Sequence, residues 1–245
     1  MPPQTLLLPG ILTPAEDRYR PLIAALGRDA EAIPKELEVY APGRSASYGI
    51  RDELDGIDRA ADAAGFETFH LVGHSAGGAI ALAYVAARPG RVRTLALDEP
   101  ATDFSPEAQE AVAADARASA KGGPGAFAAR LVRPGVRVPE PAAAPPVDRV
   151  VGAATFSRAL LRHRIDPRAF PRFPGPVLFT MGTDSDFRWE RMAERLQDSF
   201  GTFTVHRDAG RNHLEPGFVA DPGAAASRLL ALWRSSRGDP WPASP

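Results

Sequence analysis

The chain has 245 residues, 44% of them hydrophobic and 24% charged, with 29 basic and 30 acidic side chains and a formal net charge of −1. That balance suits one large α/β domain with its own core, and a near-neutral chain without a basic run has no grip on a polyanion, so nucleic acid is not an expected partner. Cysteine is absent, which excludes disulfides, thiolate metal sites and a cysteine nucleophile.

The N-terminal apolar run Leu6 to Leu8 is too short for a signal peptide, and no stretch approaches the ~20 apolar residues of a bilayer span. The expectation is a soluble, cytoplasmic protein with no membrane partner. Thr5 to Leu8 predicts a first strand, stopped by Pro9-Gly10. Tyr19, Leu22, Ile23 and Leu26 then share one helical face, with Gly27 as the stop. Leu37 to Tyr40 predicts a short second strand, and Arg51 to Ala64 a helix with Leu54, Ile57 and Ala61 turned inward. Phe69 to Val72 predicts a third strand that runs into Gly73-His74-Ser75-Ala76-Gly77-Gly78 and an Ala-rich helix ending near Ala87. Val92 to Asp98, Val177 to Met181 and Phe203 to His206 complete the strands, with helices over Trp189 to Phe200 and Gly223 to Ser235. The tail from Gly238 to Pro245 reads as frayed.

Alternating strands and helices predict an α/β fold: a mostly parallel sheet of about six strands with helices on both faces. The segment 101–174 breaks that alternation. It is rich in Ala, Pro, Arg and Gly, with helical fragments at Pro106 to Ala120 and Val147 to Arg164 around a proline-rich loop, Pro134 to Pro146. Inserted after the fourth strand, it would lie over the carboxyl ends of the strands, where ligands bind in such sheets. The organisation expected is a core of residues 1–100 and 175–245 and a helical lid of residues 101–174. Phe127, Leu131, Phe156, Leu160 and Leu161 would roof an apolar pocket or pack within the lid.

Gly73-x-Ser75-x-Gly77 is the motif that carries chemistry. A serine on a sharp strand-to-helix turn projects its hydroxyl from the sheet, and small residues two before and two after leave room for the turn. The bland alternative is a glycine-rich turn with a capping serine. Leu71-Val72-Gly73-His74-Ser75-Ala76-Gly77-Gly78 resembles the nucleophile elbow of the α/β-hydrolase superfamily, and the order of elements from Thr5 to Arg234 is similar to that fold. One departure is that the loop after the first strand starts about nine residues in, which implies a reduced sheet.

The resemblance implies Ser75 as nucleophile and a histidine base in the loop after the last strand. Of the five histidines, His213 fits that place. His206 lies within the strand, His74 should diverge from its neighbour Ser75, and His70 and His163 read as structural or exposed. The family has two stations for the acid. After the fifth strand, Ser185 stands at the expected position, flanked by Asp184 and Asp186; at the end of the fourth strand stands Glu99. Glu99 is favoured, with Asp186 or Asp184 as the alternatives. Backbone N–H groups of Ile11 and Ala76 would form the oxyanion hole.

The function so implied is hydrolysis of a carboxylic ester or related acyl bond of a small, largely apolar substrate through an acyl-enzyme, without metal or organic cofactor. A serine nucleophile argues against dehalogenases and epoxide hydrolases, which are similar in fold but use aspartate. The alternatives are carbon–carbon cleavage, perhydrolysis, or lyase or cyclase chemistry in secondary metabolism, and a non-catalytic ligand receptor.

Overall fold

In the computed structural model, which describes residues 1–43, 47–138 and 145–236, six strands form one parallel sheet. They are β1 (Gln4–Leu8), β2 (Glu31–Pro34), β3 (Phe69–His74), β4 (Val92–Asp98), β5 (Val177–Gly182) and β6 (Phe203–Asp208), in the spatial order β2-β1-β3-β4-β5-β6. The direction of strand order reverses between β1 and β3. Their following loops therefore part to opposite sides and leave a crevice at the carboxyl ends.

Successive strand residues face opposite sides of the sheet. Leu6, Leu71, Leu95 and Phe179 enter one core, under α2 (Ile50–Ala63), α3 (Ala76–Ala87) and α6 (Arg188–Gln197). Leu7, Val72, Ala96 and Leu178 enter the other, under α1 (Ala15–Leu26), α7 (Gly217–Ala220) and α8 (Pro222–Ser235). Helix α3 is buried continuously from Ala76 to Val85, which explains why its sequence is apolar on every side.

Between β4 and β5 lie α4 (Pro106–Ala128) and α5 (Val147–Arg162). Ser105 starts α4 by accepting the Ala108 N–H, and Pro106 suits the first turn. The helix was expected to stop at Ala120; it continues to Ala128 through a kink at Gly123, whose φ of 69° favours glycine.

The second strand is the fold's one clear correction. Leu37 to Tyr40 does not pair; Glu38–Tyr40 forms a single 3-10 turn. The Glu53 carboxylate accepts the N–H groups of Glu38 (2.8 Å) and Val39 (3.0 Å), donors that a sheet ladder would need. The actual strand is Glu31–Pro34, on the sheet edge, where a terminal proline and partial exposure are tolerated. Residues 139–144 of the proline-rich loop and the tail from Gly238 lie outside the described residues. Among the described residues no helix is long and apolar enough to cross a membrane, and no cluster of His, Asp or Glu is arranged to hold a metal ion.

Candidate active site

The turn from β3 into α3 places Ser75 at φ 53°, ψ −114°. A side chain held there is strained by about 1–3 kcal/mol, so the surroundings must enforce it. They do so through the backbone: the Ser75 N–H donates to the Asp98 carbonyl (2.9 Å), the Ser75 carbonyl accepts from Ala101 (2.8 Å), and the Gly77 N–H donates to Pro9 (3.0 Å). The flanking glycines are steric requirements. A Cβ at Gly73 would collide with the Gly77 carbonyl, and one at Gly77 with the Leu8 carbonyl.

Three side chains from distant parts of the chain meet here. His213 Nε2 lies 3.0 Å from Ser75 Oγ, and His213 Nδ1 lies 2.8 Å from Glu99 Oε2. The second Glu99 oxygen accepts the Gly182 N–H at 2.7 Å, which fixes the carboxylate from the β5 loop. With Glu99 accepting, Nδ1 carries the proton and Nε2 is left to accept from the Ser75 hydroxyl. Trp189 stacks flat on the imidazole, with centroids 4.5 Å apart and planes 9° apart, and its own N–H is held by the Pro100 carbonyl at 2.9 Å. The His213 loop is shaped by Asn212, whose side-chain oxygen accepts the Leu214 N–H (3.0 Å).

The alternative acids are occupied elsewhere. Asp186 accepts the Arg188 N–H (2.9 Å) and the Arg188 Nε–H (3.1 Å), the chemistry of a helix start. The Asp184 carboxylate accepts from its neighbour Thr183, and its carbonyl from the Arg133 N–H (2.9 Å), both away from His213. Ser185, between the two aspartates, is buried, and its Oγ has no hydrogen-bond partner among the described residues.

Burial dominates the electrostatics. It pulls His213 below the usual imidazole range, a drop the nearby Asp98 charge opposes, so at neutral pH the ring is an unprotonated base. Burial and then Asp98 push Glu99 upward, while the Gly182 N–H favours its carboxylate.

A cavity of about 60 Å³ opens directly on Ser75 and His213. Ile11 and Ala76 line it, and among the described residues neither of their N–H groups has a backbone acceptor. The roof comes from 101–174: Val112, Phe127 and Leu131 around α4, and Phe156 and Leu160 of α5. Leu161 instead lines a second cavity farther out.

Sequence reasoning missed Trp189, the Asp115–Arg188 ion pair in the cavity wall (2.5 Å), and a second histidine–carboxylate pair. In the last, His74 Nδ1 lies 2.7 Å from Asp98 Oδ1, and the Thr180 hydroxyl donates to Asp98 Oδ2 at 2.5 Å. These residues share one row of the sheet, His74 opposite Asp98 and Asp98 opposite Thr180, a register no single-strand pattern reveals. His70 binds Thr94 (2.9 Å), His163 packs edge-on against Phe104, and His206 pairs with Asp208 (3.2 Å), all away from Ser75.

A family model described as the alpha/beta hydrolase fold matches residues 27–121. Among solved structures, the chain is similar to a carboxylesterase of Nitrososphaera gargenis, at 18% identity and TM-score 0.71, over 98% of this chain and 92% of that one. It is similar to a thermophilic esterase from Thermogutta terrifontis at 18% identity and TM-score 0.71, over 96% and 90%. An α/β hydrolase from a Medee basin deep-sea metagenome matches at 11% identity and TM-score 0.75, over 99% and 92%. No curated protein matches significantly.

Proposed function

From the α/β-hydrolase fold that the chain adopts, we propose that it is a serine hydrolase that cleaves a carboxylic ester of a small, largely apolar substrate. The observation that carries this reading is the unbroken hydrogen-bond path Glu99–His213–Ser75 ending on a cavity. Ser75, His213 and Glu99 are its catalytic residues. His213 Nε2 takes the hydroxyl proton as Ser75 Oγ attacks the carbonyl carbon. Glu99 holds the ring in the productive tautomer and stabilises the imidazolium as it forms. The Ile11 and Ala76 N–H groups receive the oxyanion. His213 then hands its proton to the leaving alcohol, and a water activated by the same nitrogen releases the acid from Ser75.

Trp189 blocks rotation of the imidazole, a positioning role its flat stacking supports. Residues 101–174 serve as the lid: their apolar side chains keep bulk water from the alkoxide.

A fluorophosphonate probe should label the wild type and leave Ser75→Ala unlabelled, with p-nitrophenyl acetate hydrolysed by the first alone. A wild type inert to both reagents would overturn the proposal. Labelling without ester turnover would keep Ser75 as a nucleophile but replace hydrolysis with another chemistry.

A further inference from the structure

Two cavities meet above Ser75. The inner one, about 60 Å³, contains Ser75, Ala76 and His213; the outer one, about 310 Å³, lies between α4 and α5. Ile11, Asp115, Phe127 and Ser157 line both, so the two adjoin across these side chains.

The geometry points to a substrate with an uncharged, medium-length acyl chain housed between the two lid helices, and with its alcohol on the opposite, His213 side. This rests on the serine-hydrolase reading and assigns its two substrate limbs. The direction follows from the reaction. The leaving alcohol takes its proton from His213 and must lie beside it. The shared walls include Ile11, on the oxyanion side, but neither His213 nor Trp189 lines the outer chamber. The limb that enters the chamber is therefore the acyl one.

Three of the chamber's four polar side chains, those of Asp115, Ser157 and Arg158, make hydrogen bonds within the protein. Asp115 accepts from Arg130 (2.6 Å) and Arg188 (2.5 Å). Ser157 donates to the Ala153 carbonyl (2.9 Å), and Arg158 to Thr155 (3.1 Å). The remaining walls are mainly aliphatic, including Leu12, Ala116, Ala120, Ala153 and Leu161. Apart from Arg158, which is exposed and has no carboxylate partner among the described residues, these walls leave a strongly polar chain little to bind, so the interior of the chamber suits an uncharged one. At roughly 30 Å³ per water-sized group, the space holds about ten such groups, enough for an acyl chain of roughly six to ten carbons.

The test is kcat/KM across p-nitrophenyl esters from acetate to dodecanoate, beside acetate esters of alcohols of rising length. A gain of at least about tenfold from acetate to octanoate is expected, with no such gain along the alcohol series. Ala153→Phe on α5 and Ala116→Phe on α4 fill the chamber from opposite sides, and each should cut the octanoate-to-acetate ratio about tenfold or more. A ratio unchanged in either variant that folds, or a gain that follows alcohol length, would overturn the assignment. Binding is read separately: Ser75→Ala titrated with methyl octanoate should give a saturable rise in Tm that methyl acetate does not. If wild type turns over no ester while that binding persists, hydrolysis falls and the chamber stands. Ester turnover with no octanoate binding and no chain-length preference leaves the hydrolase and removes the chamber.

Discussion

Two imidazole–carboxylate pairs stand back to back at the ends of β3 and β4. His213 and Glu99 lie 2.8 Å apart, His74 and Asp98 2.7 Å, and the two rings are only 4.9 Å from centre to centre. Asp98 ends β4 and Glu99 follows it at a φ of 45°, a turn out of the strand that lets the two consecutive carboxylates meet different rings. What differs is the second nitrogen of each ring. His213 Nε2 meets the hydroxyl of Ser75 on a cavity wall. The His74 ring is sealed under Phe218 and against Gly10, where even a Cβ would sit 3.0 Å from its Cδ2. A histidine held by a carboxylate is thus not a base by composition. It becomes one where its free nitrogen faces a nucleophile and substrate space; the other pair has its ring packed beside Gly10 and Phe218 instead.

Isosteric removal of each carboxylate breaks the comparison most sharply. Glu99→Gln keeps the shape but loses the charge and can present the wrong hydrogen-bond polarity to Nδ1. It should lower kcat/KM on p-nitrophenyl acetate by about 10³–10⁴-fold. Asp98→Asn should lower it less than about tenfold, because that pair reaches no substrate. Equal losses from the two variants would mean that both pairs take part in the chemistry.

The same contrast explains how much could be read from the sequence. β3 and β4 were legible because strands buried on both faces are continuous apolar runs between turn signals. The edge strand Glu31–Pro34 has no such run, while the apolar Leu37 to Tyr40 mimics one, and only the reach of Glu53 from α2 decides against it. Ser75 and His213 stand in local patterns a reader can find. The choice of Glu99 over Asp184 and Asp186 as the partner of His213 depends on β4 and β5 lying side by side, which spacing along the chain cannot supply. Trp189 and the Asp115–Arg188 pair gave no signal, since each is defined only by what it touches.

A smaller effect separates the pairs by pH. Burial holds His213 below the ordinary imidazole value of about 6.5, so the acid limb of kcat/KM, where the base becomes protonated and activity falls with falling pH, should lie below pH 6.5. Asp98 is itself pushed up to about 6 by burial, against the Thr180 hydrogen bond. When ionised it raises His213, so Asp98→Asn should move the limb further down, by less than about one pH unit. A limb that moves upward in this variant would show that Asp98 does not act on His213 through its charge.

The smallest change is expected where a carboxylate stands near the site in sequence but not in contact with it. Asp186 caps the turn into α6 through Arg188, and asparagine can accept the same backbone N–H. Asp186→Asn should therefore keep kcat/KM within about threefold and stability within about 0.5 kcal/mol, measured by ester hydrolysis and urea unfolding. The ion pair to Arg188 weakens in that variant, but Arg188 keeps Asp115 and the Arg130 carbonyl as partners. A loss as deep as that of Glu99→Gln would relocate the acid to the loop after β5, and would require that loop to rearrange until a side chain now facing Arg188 reaches His213.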